Sequence, residues 1–150
     1  MNPIRILAAT LLLSSLVGCA VNAVTGERNF QVYGTQWERN VGAQMYRPMK
    51  QSQGGDFILD PELTAYVREV GSRLAAHARR KDELQFEFGI INSSVPNAWA
   101  LPGGKIVVNR GLLTQLQSEA ELAAVLAHEI VHADAAHGAR AVNLETSGVH

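Results

Sequence analysis

Residues 118–132 read SEAELAAVLAHEIVH, and this stretch predicts a capped helix that carries two histidines. Ser118 is followed three residues later by Glu121, a capping box that is typical of a helix N-terminus. His128 and His132 are four residues apart. On a helix their imidazoles therefore leave the same face, roughly 6 Å apart along the axis.

This histidine pair predicts a zinc site with hydrolytic chemistry. Two imidazole nitrogens at that separation can each bond one zinc ion at about 2.0–2.1 Å. Glu129 projects about 100° around the helix from His128, so it does not share the metal but can reach a water in its open position. A carboxylate placed there can take the proton of that water as it attacks a peptide carbonyl. A lone helical histidine is usually a packing or surface residue, but this spacing favours a zinc hydrolase.

The third zinc ligand is not evident from the sequence. A metzincin has a third histidine ten positions after the first, where this chain has Gly138, and His137 lies one residue early. Glu145 is the single glutamate after His132, and it is too close along the chain to return from another helix. Asp134 could orient a neighbouring group or be solvated, and we favour the solvated interpretation.

Two helices are predicted before the histidine helix. The first begins at Thr35, which forms a capping box with Glu38, and ends at Pro48. The second can be capped by Asp60, begins at Pro61 and runs to about residue 79, at the basic run of residues 79–81. Those charges suit the negative end of the helix dipole, and we expect them to be solvated.

A strand and a hairpin follow these helices. Residues 84–91 alternate between apolar and polar types, which predicts a half-buried strand. Residues 98–101 and 105–108 flank Pro102–Gly104, which predicts a β-hairpin with its turn on the glycine pair. With a last helix running to about residue 137, the chain is predicted to be α+β. A small antiparallel sheet would pack on the histidine helix and on the two preceding helices.

The first eighteen residues predict a lipoprotein signal peptide. Residues 4–17 are mostly apolar, a length that suits a signal sequence and is short of the roughly 20 residues of a spanning helix. Residues 16–19 read LVGC and resemble a bacterial lipobox. The resemblance implies cleavage before Cys19, lipid on its sulfur and, since Ala20 follows, anchoring in a Gram-negative outer membrane facing the periplasm. The alternatives are an ordinary secretory signal and a short buried helix in which the cysteine occurs by chance.

The composition excludes one class of partner and one kind of cross-link. The 150 residues carry a net charge of −1 without a basic stripe, so nucleic-acid binding has no electrostatic support. Cys19 is the only cysteine, so an internal disulfide cannot form.

The hairpin region carries a specific family resemblance. Residues 97–113 read NAWALPGGKIVVNRGLL and resemble the segment before the zinc helix of M48-type peptidases, with Trp99 in place of their usual phenylalanine. The histidine helix fits the same pattern, and the lipobox resembles the periplasmic lipoprotein branch of the family. The resemblance implies a zincin-like fold and one zinc ion held by His128 and His132, with Glu129 as the general base.

The resemblance also implies a domain division and a substrate-binding strand. The third ligand of this family is a glutamate from a helix well downstream, so we expect residues 35–141 to be the N-terminal part of a peptidase domain that is cut short. Residues 1–18 are then the signal peptide, residues 19–34 a tether, and residues 142–150 a tail without assignment. The first hairpin strand would pair with an extended substrate beside the zinc cleft. Its four residues are Asn97, Ala98, Trp99 and Ala100. A purely structural role, with Trp99 as a core aromatic, is an equal alternative.

Two functional hypotheses follow from these features. The first is a zinc-dependent endopeptidase, lipid-anchored at Cys19, that hydrolyses unfolded or misassembled envelope proteins. The second is a metal-poor, non-catalytic module that binds client segments in the manner of a chaperone, motivated by the missing third ligand. Zinc content and proteolytic activity distinguish the two.

Overall fold

A computed structural model describes residues 34–135 and the backbone of two short strands, β1 (Ala20–Val21) and β2 (Arg28–Asn29). These two strands pair antiparallel. The predicted signal peptide, Cys19, most of the tether and the tail of residues 142–150 lie outside the described residues. In the described part, no helix is both long enough and apolar enough to cross a membrane.

Residues 34–135 form four α-helices and three strands. The helices are α1 (Thr35–Ser52), α2 (Pro61–Ala75), α3 (Arg110–Leu113) and α4 (Glu119–Asp134). The strands are β3 (Glu87–Ile91), β4 (Ala98–Leu101) and β5 (Lys105–Asn109), and a 3₁₀ turn (Pro102–Gly104) joins the last two. The α+β class predicted from the sequence is confirmed.

The three strands form a mixed sheet in the order β3-β5-β4. β4 and β5 pair antiparallel as the predicted hairpin, whereas β3 and β5 pair parallel. The prediction of a wholly antiparallel sheet was therefore wrong. β5 is the central strand, and all of its residues are buried, as is usual for a strand covered on both faces and paired at both edges.

The hairpin turn packs directly against α1. Gly103 and Gly104 have φ values of 78° and 89°, a left-handed conformation that glycine adopts without strain. A Cβ built on Gly42 of α1 would lie 1.8 Å from the carbonyl oxygen of Pro102. The helix and the turn therefore approach each other backbone to backbone, which fixes the hairpin relative to α1.

Helices cover both faces of the sheet. One face, with Phe88, Ile106 and Ala100 among its side chains, packs on α2 and α4 in the larger core cluster. The opposite face, with Val107 and Leu101, packs against Tyr46 and Met49 of α1. Leu122, Leu126 and Ile130 are the buried residues of α4 in the larger cluster, so the core holds this helix by one side.

Several predicted helix limits were wrong, and packing explains the differences. α1 begins after an extended Gly34 without a side-chain cap, so the capping box predicted at Thr35 does not form. α1 also runs through Pro48, because Tyr46 before it and Met49 after it pack on the same cluster. α2 is capped by Asp60, as the sequence suggests, but it ends at Ala75 rather than near residue 79.

Candidate active site

The N-terminal end of α4 is fixed by the predicted cap. The backbone N–H of Glu121 donates to the hydroxyl of Ser118 at 3.2 Å, and the Glu121 carboxylate accepts the N–H of Gln117 at 2.7 Å. The first bond satisfies a donor that the first helical turn leaves without a partner, and the second bonds the residue before the N-cap to the helix. The buried side of α4, rather than these two bonds, sets which residues face outward near its C-terminal end.

His128 and His132 lie on the side of α4 that the core does not cover. Their Nε2 atoms are 2.9 Å apart, and the rings are nearly perpendicular at 85°. Nitrogens this close can hydrogen-bond one to the other in the metal-free molecule. They can also both lie at the zinc–nitrogen bond length of about 2.0–2.1 Å from one ion. The two rings therefore fit as one half of a zinc site.

Glu129 follows His128 on the same helix and is half-buried. Within residues 34–135 its carboxylate makes no hydrogen bond or ion pair. A carboxylate in that state is available to accept a proton from a water held beside the histidines.

The described residues bring together two candidate metal ligands and no third. Among them no group of three or more histidine, cysteine or acidic side chains is arranged to hold a metal ion. His137 and Glu145, the other candidate ligands in the sequence, lie outside the described residues. The chemistry of the donor set, two imidazoles with an adjacent carboxylate, suits zinc.

The predicted substrate strand is an edge strand that lies against α4. In the described part of the sheet, β4 pairs with β5 alone and leaves its other edge open. Ala98 and Ala100 pack in the cluster that includes α4, whereas the Trp99 side chain packs on the opposite face with Tyr46. Asn97 is exposed, and its carbonyl accepts the N–H of Asn109 at 2.9 Å. The structure thus brings the strand's backbone to α4 but turns the Trp99 side chain away from it.

Asp134 is the residue at this site that the sequence interpretation placed wrongly. It is buried rather than solvated, at 6% exposure. Its carboxylate accepts the backbone N–H groups of Arg79 at 3.0 Å and Arg80 at 2.8 Å. One signal was visible in the sequence, because an acidic residue near a helix C-terminus opposes the helix dipole.

Arg80 was also expected to be solvated, and it is buried instead. Its guanidinium donates to the carboxylate of Glu38 in α1 at 3.0 Å and to Glu83 at 3.0 Å. Glu38 is itself only 1% exposed. Burial raises the pKa of the Glu38 carboxyl, because water is removed from the charged form, and the charge of Arg80 opposes that rise.

Comparison with known proteins agrees with the geometry of α4. A family model described as peptidase family M48 matches residues 61–147, more than half of the 150-residue chain. The chain is 35% identical over 121 residues to the mitochondrial metalloendopeptidase OMA1 of Schizosaccharomyces pombe, covering 79% of this chain and 35% of that protein. It is 41% identical over 85 residues to the beta-barrel assembly-enhancing protease of Escherichia coli, covering 57% of this chain and 17% of that protein.

A plant relative shows the same pattern of coverage. The match to the mitochondrial metalloendopeptidase OMA1 of Arabidopsis thaliana is 37% identical over 87 residues, or 58% of this chain and 18% of that protein. The chain thus spans about a third or less of the length of these curated relatives.

Proposed function

The chain belongs to peptidase family M48, and from this premise we propose that it acts as a zinc-dependent endopeptidase with a zincin-type site on α4. The observation that carries the proposal is the 2.9 Å approach of the His128 and His132 Nε2 atoms on the uncovered side of that helix. The relatives support the same activity, since they are named as metalloendopeptidases or proteases.

Three side chains divide the chemistry between them. Bound zinc would lower the pKa of its water ligand and polarise the scissile carbonyl. His128 and His132, whose Nε2 atoms lie 2.9 Å apart, would hold the ion. The Glu129 carboxylate accepts a proton from the attacking water and delivers it to the leaving amine nitrogen as the peptide C–N bond breaks. A glutamate suits both steps because the same oxygen can act first as base and then as acid.

The backbone of β4 would hold the substrate. An edge strand offers N–H and C=O groups at every second residue, so a peptide segment in extended conformation can pair with it. Main-chain pairing is largely independent of side-chain identity, which suits a protease acting on many unfolded sequences. Folded proteins lack free extended segments. The substrates we propose are therefore unfolded or misassembled proteins.

Exchanging Glu129 tests the mechanism directly. Glu129→Gln keeps the size of the side chain and removes its basicity, so we expect zinc binding to persist and casein cleavage to fall at least 10²-fold. Glu121→Gln, on the same helix but eight residues earlier in the first turn, is the matched control and should cleave casein at the parental rate. Parental cleavage by Glu129→Gln would refute the assignment of the base.

The site of action is proposed to be the bacterial envelope. The lipobox at residues 16–19 supports anchoring through Cys19, and multiple acyl chains on one residue hold a protein stably at a membrane. The relative named as a beta-barrel assembly-enhancing protease supports proteins of beta-barrel assembly as a substrate class. Cys19→Ala should release the protein from the membrane fraction and abolish incorporation of labelled palmitate. Unchanged labelling would refute the anchor.

Client binding without catalysis is the second candidate function. The open edge of β4 favours it, because strand pairing needs neither a metal nor a third ligand. Zinc content separates the two functions. Stoichiometric zinc together with casein cleavage would exclude the binding-only role, and peptide binding without zinc or cleavage would support it.

A further inference from the structure

A carboxylate occupies the end of α4 where a helix disfavours one. Asp134 is the last residue of the helix and lies two positions after His132. The C-terminal end of a helix carries partial negative charge, so an acidic side chain there is repelled. Asp134 is nevertheless 6% exposed, with little access to water. Contacts elsewhere must compensate for both effects.

Two backbone amides provide that compensation. The N–H of Arg79 donates to Oδ2 of Asp134 at 3.0 Å, and the N–H of Arg80 donates to Oδ1 at 2.8 Å. Both oxygens of one carboxylate are thus bonded to the turn that follows α2. Hydrogen bonds to a charged acceptor are roughly twice as strong as neutral ones. Asp134 therefore clamps the last turn of α4 to a neighbouring segment of the chain.

The turn after α2 is also bonded to α1. The guanidinium of Arg80 donates to Glu38 of α1 at 3.0 Å, and both side chains are buried. A Cβ on Gly103 would meet the carbonyl oxygen of Glu38 at 2.9 Å, so the hairpin turn lies directly on this part of α1. The hydrogen bonds of Asp134 therefore connect the end of α4, through Arg80, to the part of α1 on which the hairpin turn packs.

We propose that Asp134 is a positioning residue of the metal site. His132 belongs to the last turn of α4, and last turns fray or tighten in the absence of restraint. Movement of that turn would shift the Nε2 atom of His132 away from that of His128. By bonding the turn to the amides of Arg79 and Arg80, Asp134 keeps both nitrogens in place for one ion. The inference rests on the proposed zinc function.

The test compares two carboxylates on one helix. Asp134→Asn retains one oxygen acceptor but places its NH₂ group against the second backbone N–H, where two donors cannot hydrogen-bond. Asp134→Ala removes both bonds. Glu121→Gln, the control, alters a carboxylate-to-backbone bond of the same type at the first turn of α4. Zinc affinity is measured on the full-length protein by competition with a chromophoric chelator, at a temperature where circular dichroism shows every variant folded. Hydrogen exchange is measured on the metal-free proteins.

We expect Asp134→Asn to bind zinc about 10-fold more weakly than the parent, the lower end of the effect of groups that orient metal ligands. Glu121→Gln should retain parental affinity. In the metal-free Asp134→Asn protein, amides of residues 131–134 should exchange faster, with exchange in the α4 middle turns unchanged. If Asp134→Ala does not fold, Asp134→Asn carries both measurements.

Two results would overturn the inference, and they have different consequences for the proposed zinc function. Parental zinc affinity in a folded Asp134→Asn protein would show that Asp134 only stabilises the turn after α2, while the zinc function would stand. A parent protein that binds no zinc would refute the zinc function and this inference together.

Discussion

The two ends of α4 are held in opposite ways. The N-terminal end relies on exposed groups: Ser118 caps the helix, and Glu119 accepts hydrogen bonds from Tyr66 at 2.6 Å and Arg73 at 2.7 Å. The C-terminal end, which carries the histidines, relies on the buried carboxylate of Asp134, far along the chain from the amides that it binds.

This difference predicts unequal tolerance to mutation. Water can replace a lost partner at the exposed end, so each contact there contributes little net free energy. At the buried end no water replaces a lost partner, and an unpaired charge is costly. The end of the helix that carries the proposed zinc ligands should therefore be the more sensitive one.

The largest effect is expected from Arg80→Met. This change leaves the Glu38 carboxylate buried without its cation, which costs about 3–5 kcal/mol of unfolding free energy for buried pairs. Urea unfolding followed by circular dichroism measures the loss. The double variant Glu38→Met with Arg80→Met removes both charges and should recover most of it. Equal losses in the single and double variants would contradict the ion pair as the cause.

The loss of unfolding free energy in Arg80→Met should depend on pH. Burial raises the folded-state pKa of Glu38 above its unfolded value, so protonation stabilises the folded state. That contribution is fully present below the unfolded pKa and is lost as pH rises through the folded pKa. Removing Arg80 raises the folded pKa further. The penalty of Arg80→Met should thus be small in acid and grow towards neutral pH, and a penalty independent of pH would contradict this origin.

A smaller loss is expected from Gly42→Ala, which tests the contact between α1 and the hairpin turn. Helix propensity alone would make the change stabilising by about 1 kcal/mol. The new Cβ would lie 1.8 Å from the Pro102 carbonyl oxygen, so we expect a net loss of about 1–3 kcal/mol instead. Gly34→Ala, which adds a methyl group in open space, should cost less. A stabilising Gly42→Ala would show that the turn can move away freely.

The sequence predicted the cap of α4 well and the buried end of the helix poorly. Ser118 and Glu121 are three residues apart, so their capping contacts are local and follow from a short pattern. The bond from Arg80 to Asp134 joins residues 54 positions apart, and no local pattern contains it. The basic run of residues 79–81 looked like a solvated helix end for the same reason.

The sheet shows the same limit. The hairpin followed from the glycine pair and from two apolar runs, and the structure has β4 and β5 where the sequence placed them. The parallel pairing of β3 with β5 could not be predicted, because it depends on which hairpin strand lies inward. β5 is the inner strand, and all of its residues are buried. The pairing of His128 with His132 was predictable because helix geometry alone sets it.

A moderate effect is expected from Ser118→Ala. Loss of the cap leaves the N–H of Glu121 without its side-chain acceptor, which typically costs about 1 kcal/mol of unfolding free energy. Zinc affinity should not change, because the histidines lie at the other end of the helix. Urea unfolding and chelator competition measure the two quantities. Weakened zinc binding in the folded variant would show that the two ends of α4 are not independent.

The smallest effect is expected from Tyr66→Phe, which removes one exposed hydrogen bond from Glu119. The hydrogen bond from Tyr66 is the largest cause that lowers the Glu119 pKa, ahead of Arg73, so the pKa should rise towards its ordinary value. A depressed folded-state pKa contributes stability above the unfolded pKa, and that stability is lost as pH falls through the folded pKa.

The difference in stability between Tyr66→Phe and the parent should therefore be small at neutral pH and vanish in acid. Salt should reduce it further, since both groups are exposed to the solvent that screens them. NMR titration of the Glu119 carboxyl measures the pKa, and urea unfolding measures the stability. A loss as large as that of Arg80→Met would contradict the proposed contrast, because it would make the exposed end of α4 as sensitive as the buried one.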